Sequence, residues 1–126
     1  MRTRYANKTY EAERAYWAGL PPEHPARRQV TLEEAQAVVD RHLAGWRVTR
    51  GNGFKNGACY WHEDRISIGG LAQQWIVLHE IAHALGPRKH DAAFRAAYAS
   101  LVRAEHGDEV ADGLLEAFGS LRLKVS

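Results

Sequence analysis

The chain has 126 residues, 45% of them hydrophobic and 25% charged, with a formal net charge of +2. That size suits one domain spanning 1–126, able to bury a core without staples, and the composition is that of a globular chain rather than a disordered one. Cys59 is the lone cysteine, which excludes an intrachain disulfide and fits a reducing compartment, and no stretch approaches the roughly eighteen apolar residues of a membrane span.

The opening residues Met1 to Tyr5 carry charge with no apolar run behind them, unlike a secretory signal, so a cytoplasmic protein is expected. A first helix is predicted through Glu11 to Trp17, ending at Gly19 before a Pro-rich connector from Pro21 to Pro25. Thr31 and Glu34 have capping-box spacing and should start a second helix carrying Ala35, Val38, Val39 and Leu43, which stops near Gly45. Trp46 to Thr49 reads as a strand, and the glycines and asparagines of 51–57 as a loop or wide turn. Ala58 to His62 and Arg65 to Ile68 read as paired strands around Glu63-Asp64, with Cys59 a small buried hydrophobe.

The helix expected over Leu71 to Leu85 carries the chemistry. His79-Glu80-Ile81-Ala82-His83 has the pattern H-E-x-x-H. Residues four apart share a helix face, so both imidazoles can hold one metal ion while Glu80 takes a proton from a water bound to it. Zinc favours imidazole ligands, and three protein ligands leave a fourth position for that water. Trp75, Leu78, Ala82 and Leu85 form an apolar stripe that should face the core, and Gly86-Pro87 supplies the stop.

His90, reached by a turn through Pro87, Arg88 and Lys89, is the expected third ligand. Glu105 and His106 are rivals on the following helix, predicted from Asp91 to Glu105, but they stand roughly 22 Å along it from His90. Asp108 should cap a last helix through Val110, Leu114 and Phe118, leaving Leu121, Leu123 and Val125 as a tail. Helices around a small antiparallel sheet make an α+β architecture.

Gly86 stands where the metzincin pattern wants a glycine, but the histidine comes one residue late and Met1 is the only methionine, so that family is excluded. His90-Asp91-Ala92-Ala93-Phe94 following H-E-x-x-H resembles instead the compact zincins around the SprT and YgjP-type metal-dependent hydrolases. With Thr9-Tyr10-Glu11-Ala12-Glu13-Arg14 in an Arg-rich first helix, the chain also resembles small metallohydrolase-type proteins of actinobacteria and their phages. The resemblance covers 71–106 best. It implies a minimal zincin fold, Zn²⁺ on His79, His83 and His90, and Glu80 as the catalytic acid/base. It implies little about the substrate, and the lone cysteine argues against carrying over the crosslink-repair role of SprT relatives with a zinc ribbon.

The leading expectation is therefore a zinc metallopeptidase acting on a peptide or protein. Zincins commonly hold substrate at an edge strand before the metal helix, and Arg65 to Gly70 occupies that place, unless Gly69-Gly70 only makes the turn into the helix. Most of the four tryptophans should belong to the core, although Trp61, beside His62, could line the cleft. His62, Tyr60, Tyr98 and several arginines could stabilise an oxyanion, and no spacing selects among them. Arg2 with Arg4, Arg27-Arg28 and Arg122 with Lys124 are scattered and read as solvated faces rather than a nucleic-acid patch. Two alternatives are a zinc-holding interaction protein without turnover and a regulatory protease resembling the antirepressor peptidases.

Overall fold

One deeply buried helix organises the structure. A computed structural model describes residues 4–51, 53, 56–87 and 89–125, with the backbone alone for 4–7. Gln74–Ala84 (α3) buries ten consecutive residues, Gln74 through His83. The expected single apolar stripe is therefore too narrow. Trp75, Leu78 and Ala82 are buried, but Leu85, past the end of the helix, is 49% exposed. A helix surrounded on several sides has no solvent face to mark with charge, and α3 packs against helices Leu32–His42 (α2) and Ala92–His106 (α4) and against two strands.

Leu71 and Ala72 lie outside α3, because Gln73 is held extended by a bridge to Gln29. Arg28 C=O accepts from Gln74 N–H at 2.9 Å, and Ala72 C=O from Val30 N–H at 3.0 Å. These bonds fix where the helix begins.

Arg47–Arg50 (β1), Gly57–Tyr60 (β2) and Arg65–Ile68 (β3) form a sheet ordered β1-β3-β2. It is mixed rather than antiparallel as expected: β2 pairs antiparallel with β3, while β1 pairs parallel with it. The hairpin from β2 to β3 turns through a short 3₁₀ segment, Trp61–Glu63, which takes Trp61 and His62 out of the strand. Asp64 closes it in the left-handed conformation at φ 48°, which aspartate tolerates because its side chain bonds locally. β3 is consequently the central strand, so an extended peptide cannot add along Arg65 to Ile68. The sheet edges belong to β1 and β2. Asn52, Phe54 and Lys55, within the predicted loop, lie outside the described residues, as do Met1 to Thr3 and Arg88 of the turn before His90.

The first helix, Arg4–Ala18 (α1), is longer than expected and packs on the last, Asp108–Ser120 (α5), where Tyr16 donates to Val110 C=O at 2.7 Å. Thr31 and Glu34 form the reciprocal capping box at 3.0 and 2.9 Å. Asp91 caps α4 by accepting from Phe94 N–H at 3.0 Å. Asp108 does not cap α5. Gly107, at φ 92°, makes the corner between α4 and α5, and Asp108 in the first turn takes a bond from Arg103 instead. In the tail only Leu123 is buried, with Leu121 and Val125 each 40% exposed. Among the described residues no helix is long and apolar enough to cross a membrane.

Candidate metal centre

His79 and His83 stand one turn apart on α3, and His90 returns to them just before α4. His90 Nε2 lies 2.9 Å from His79 Nε2 and 3.1 Å from His83 Nε2. As a hydrogen-bond network this is poor, because an imidazole Nε2 carries at most one proton and cannot donate to both neighbours. Around a tetrahedral zinc with Zn–N bonds of about 2.0–2.1 Å, neighbouring ligand nitrogens stand about 3.3 Å apart, close to the spacing seen. The three side chains form a group that could hold a metal ion.

The outer nitrogens are also committed. His79 Nδ1 faces buried Glu13 Oε1 at 2.7 Å, and His83 Nδ1 faces Pro87 C=O at 2.8 Å. With protons on both Nδ1 atoms, the Nε2 lone pairs turn toward the shared centre. Gly86 permits the geometry around His83: its φ of 138° lets the chain double back so that the next carbonyl meets the ring.

His90 is held through its backbone. Its carbonyl accepts from Thr9 Oγ1 at 3.1 Å and from the buried Arg95 guanidinium at 2.7 Å. Phe94, one turn into α4, sits under the cluster with its ring 4.5 to 4.8 Å from all three imidazoles. The H-x-x-x-F spacing therefore has a packing reason. The rivals stand elsewhere, with Glu105 paired to Arg41 at 2.6 Å and to His42 at 2.8 Å, and His106 bonded to Gln74 at 2.7 Å.

Electrostatics separates the groups. Burial opposes a charge on His79, but the Glu13 carboxylate, close and hydrogen-bonded, outweighs it with help from Glu80, and proton affinity ends above the ordinary value. Burial, reinforced by His79, pushes His83 down to about 4 despite Pro87 C=O and Asp91. Glu80 is pushed up to about 7, first by burial and also by Glu13, with His79 pulling the other way. A carboxyl group poised near neutrality can take up and release a proton in one cycle.

A cleft of about 930 Å³ opens over the three histidines and Glu80. Trp61 does line it, with its indole donating to His83 C=O at 2.9 Å. Cys59 also lines it and is only partly buried, against the expectation of a core residue. Gly57 brings β2 against α3: a Cβ there would lie 2.9 Å from Glu80 Cγ and 3.0 Å from Ile76 Cγ2. Of the oxyanion candidates, Tyr98 is fully buried, with its hydroxyl accepting from Trp17 Nε1 at 2.9 Å, and Tyr60 and His62 do not line the cleft.

Glu13 is the residue of the centre that sequence reasoning did not assign. Its signal was present: Thr9, Glu13 and Trp17 recur every four residues, placing two polar groups on the buried stripe of α1. Searches of protein-family models, curated proteins and solved structures find no match to this chain.

Proposed function

We propose that the chain is a zinc-dependent hydrolase, most specifically a metallopeptidase of minimal zincin type. The convergence of His79, His83 and His90 beside buried Glu80, at the floor of an open cleft, carries this reading. Three imidazoles suit zinc better than magnesium or calcium, which prefer oxygen. When bound, the metal polarises a carbonyl oxygen and lowers the pKa of a water to near 7.

The protein side supplies the rest. Glu80, buried beside His79 and His83, takes the proton from the attacking water and passes it to the leaving amine. Glu13 holds His79 in the ligating tautomer and strengthens its basicity. An extended peptide docks beside β2, whose Gly57 and Cys59 line the cleft. This takes over the role first expected of β3.

The test is metal content and cleavage of an unstructured protein, using tag-free wild type, Glu80→Gln and His90→Ala. Expected are zinc at one equivalent and cleavage in wild type, zinc without cleavage in Glu80→Gln, and loss of both in His90→Ala. Full zinc occupancy in His90→Ala would remove it from the ligand set. Zinc in wild type without cleavage of any tested protein or peptide would favour a metal-holding interaction protein.

A further inference from the structure

Beyond the imidazoles the cleft continues along α1, and its wall changes character there. Tyr10 stands with its ring centroid 5.9 Å from that of His79, and the Arg14 guanidinium lies 5.9 Å from the Tyr10 centroid. Arg27 lines the same cleft, and its Nη1 donates to Leu20 C=O at 2.6 Å and to Ala18 C=O at 3.5 Å. Its main anchor, Leu20 C=O, lies just past the end of α1, and its longer contact, Ala18 C=O, closes the helix one turn after Arg14. Both cations thus line the cleft along the C-terminal half of α1 and the turn that follows it.

No carboxylate pairs with either cation among the described residues, and Arg14 stands over the Tyr10 ring. The chain has 15 Asp and Glu residues, yet the only carboxylate lining the cleft among the described residues is Glu80, beneath the metal centre. Gln73, at the start of α3, also lines the cleft, with its Oε1 accepting from Trp75 Nε1 at 2.9 Å. A helix-capping role accounts for Arg27 Nη1 alone. It accounts neither for the rest of that guanidinium nor for Arg14.

Building on the peptidase reading, we infer that Arg14 and Arg27 form a substrate subsite for a carboxylate, making the preferred substrate an acidic peptide. Two steps of 5.9 Å put Arg14 no more than about 12 Å from the His79 ring. An extended chain advances about 3.3 Å per residue, so the carboxylate belongs within about three residues of the cleaved bond. A Glu or Asp side chain and a C-terminal carboxylate offer the same chemistry, and guanidinium groups bind either with paired bonds.

The experiment is tryptophan fluorescence of zinc-loaded Glu80→Gln, since Trp17, Trp61 and Trp75 line the cleft. It is titrated with acetylated, amidated octapeptides of alanine and serine around one phenylalanine. Glu is walked through the remaining positions, each peptide has a Gln twin, and one series ends in a free carboxylate. Cleavage of the same peptides by wild type is followed in parallel.

One Glu position, or the free terminus, should bind about five- to tenfold tighter than its uncharged twin, with the advantage shrinking at high salt. In Arg14→Glu that preference should vanish and a Lys peptide should bind better instead. Arg27→Lys, which retains the charge near Ala18 and Leu20, should keep most of it. Equal binding of Glu and Gln peptides at every position, or no binding of any peptide, overturns the subsite, as does a preference that survives Arg14→Glu. A preference without any cleavage counts against the peptidase and leaves the subsite standing, and cleavage without preference does the reverse.

Discussion

Two clusters of histidine and glutamate occupy different parts of this protein and are built on opposite principles. Around Glu105 and Gln74, the Nε2 atoms meet side-chain oxygens: His42 Nε2 reaches Glu105 at 2.8 Å and His106 Nε2 reaches Gln74 at 2.7 Å. His24, nearby, uses Nδ1 to accept from Ala26 N–H at 3.1 Å. In the other cluster His79, His83 and His90 face one another nitrogen to nitrogen, while the oxygens of Glu13 and Pro87 take the outward Nδ1 atoms. Histidines bonded to protein groups tie a fold together, whereas three that converge nitrogen to nitrogen form a group that could hold a cation. A count of seven histidines cannot separate the two groups. The direction of their nitrogens does.

The strongest way to break this comparison is to remove one histidine from each cluster. Zinc at about a thousand times its dissociation constant stabilises a protein by about 4 kcal/mol, which for a chain of this size raises Tm by roughly 10 to 20 °C. That rise should appear in wild type, fall to near zero in His90→Ala, and persist in His106→Ala, as read by thermal denaturation with and without zinc. His106→Ala should itself lower Tm, at a cost of about 1–2 kcal/mol for the lost bond to Gln74.

The two carboxylates should respond to pH with opposite signs. Glu80 has its pKa raised to about 7, so its contribution to metal-free stability is present below the ordinary carboxylate range and lost as pH rises through 7. Glu80→Gln escapes that loss. Its stability relative to metal-free wild type should therefore grow by on the order of 2–3 kcal/mol between pH 4.5 and 8, measured by urea denaturation. Glu105 is held below the ordinary range, chiefly by its bond to Arg41 and then by His42. Its contribution is present at neutral pH and lost as pH falls through that lowered value.

Between these stands the outer support of the metal centre. Glu13→Gln keeps the shape of the side chain but removes the charge beside His79, and zinc affinity should fall about 10- to 100-fold by competition with a chromogenic chelator. The smallest effect on the metal belongs to the second cluster: Glu105→Gln weakens its bonds to Arg41 and His42, at a cost of about 1–3 kcal/mol near neutrality, and should leave zinc affinity unchanged.

What could be read from the sequence followed the range of the interactions. The H-E-x-x-H helix, its Gly86 stop, the Thr31 capping box and the return of His90 before Phe94 all depend on residues within about a dozen positions, and the structure contains each. The sheet order was not legible, because three four-residue strands can pair in several ways and the β1–β3 pairing bypasses β2. That bypass put β3 in the centre and moved the candidate docking edge to β2. Glu13 was hidden for the same reason, its partner His79 lying 66 residues away. Leu85 failed as a core residue because α3 ends at Ala84, and the turn into Gly86 leaves that side chain in solvent.

The central claim is that three imidazoles, and no other protein group, hold the metal. X-ray absorption at the zinc edge of the loaded protein tests it most directly, because Cys59 lines the same cleft and would announce itself as a sulfur ligand. The account predicts a first shell of nitrogen and oxygen at about 2.0–2.1 Å with outer scattering from three imidazoles. A sulfur shell at about 2.3 Å, or scattering from only two imidazoles, would contradict it.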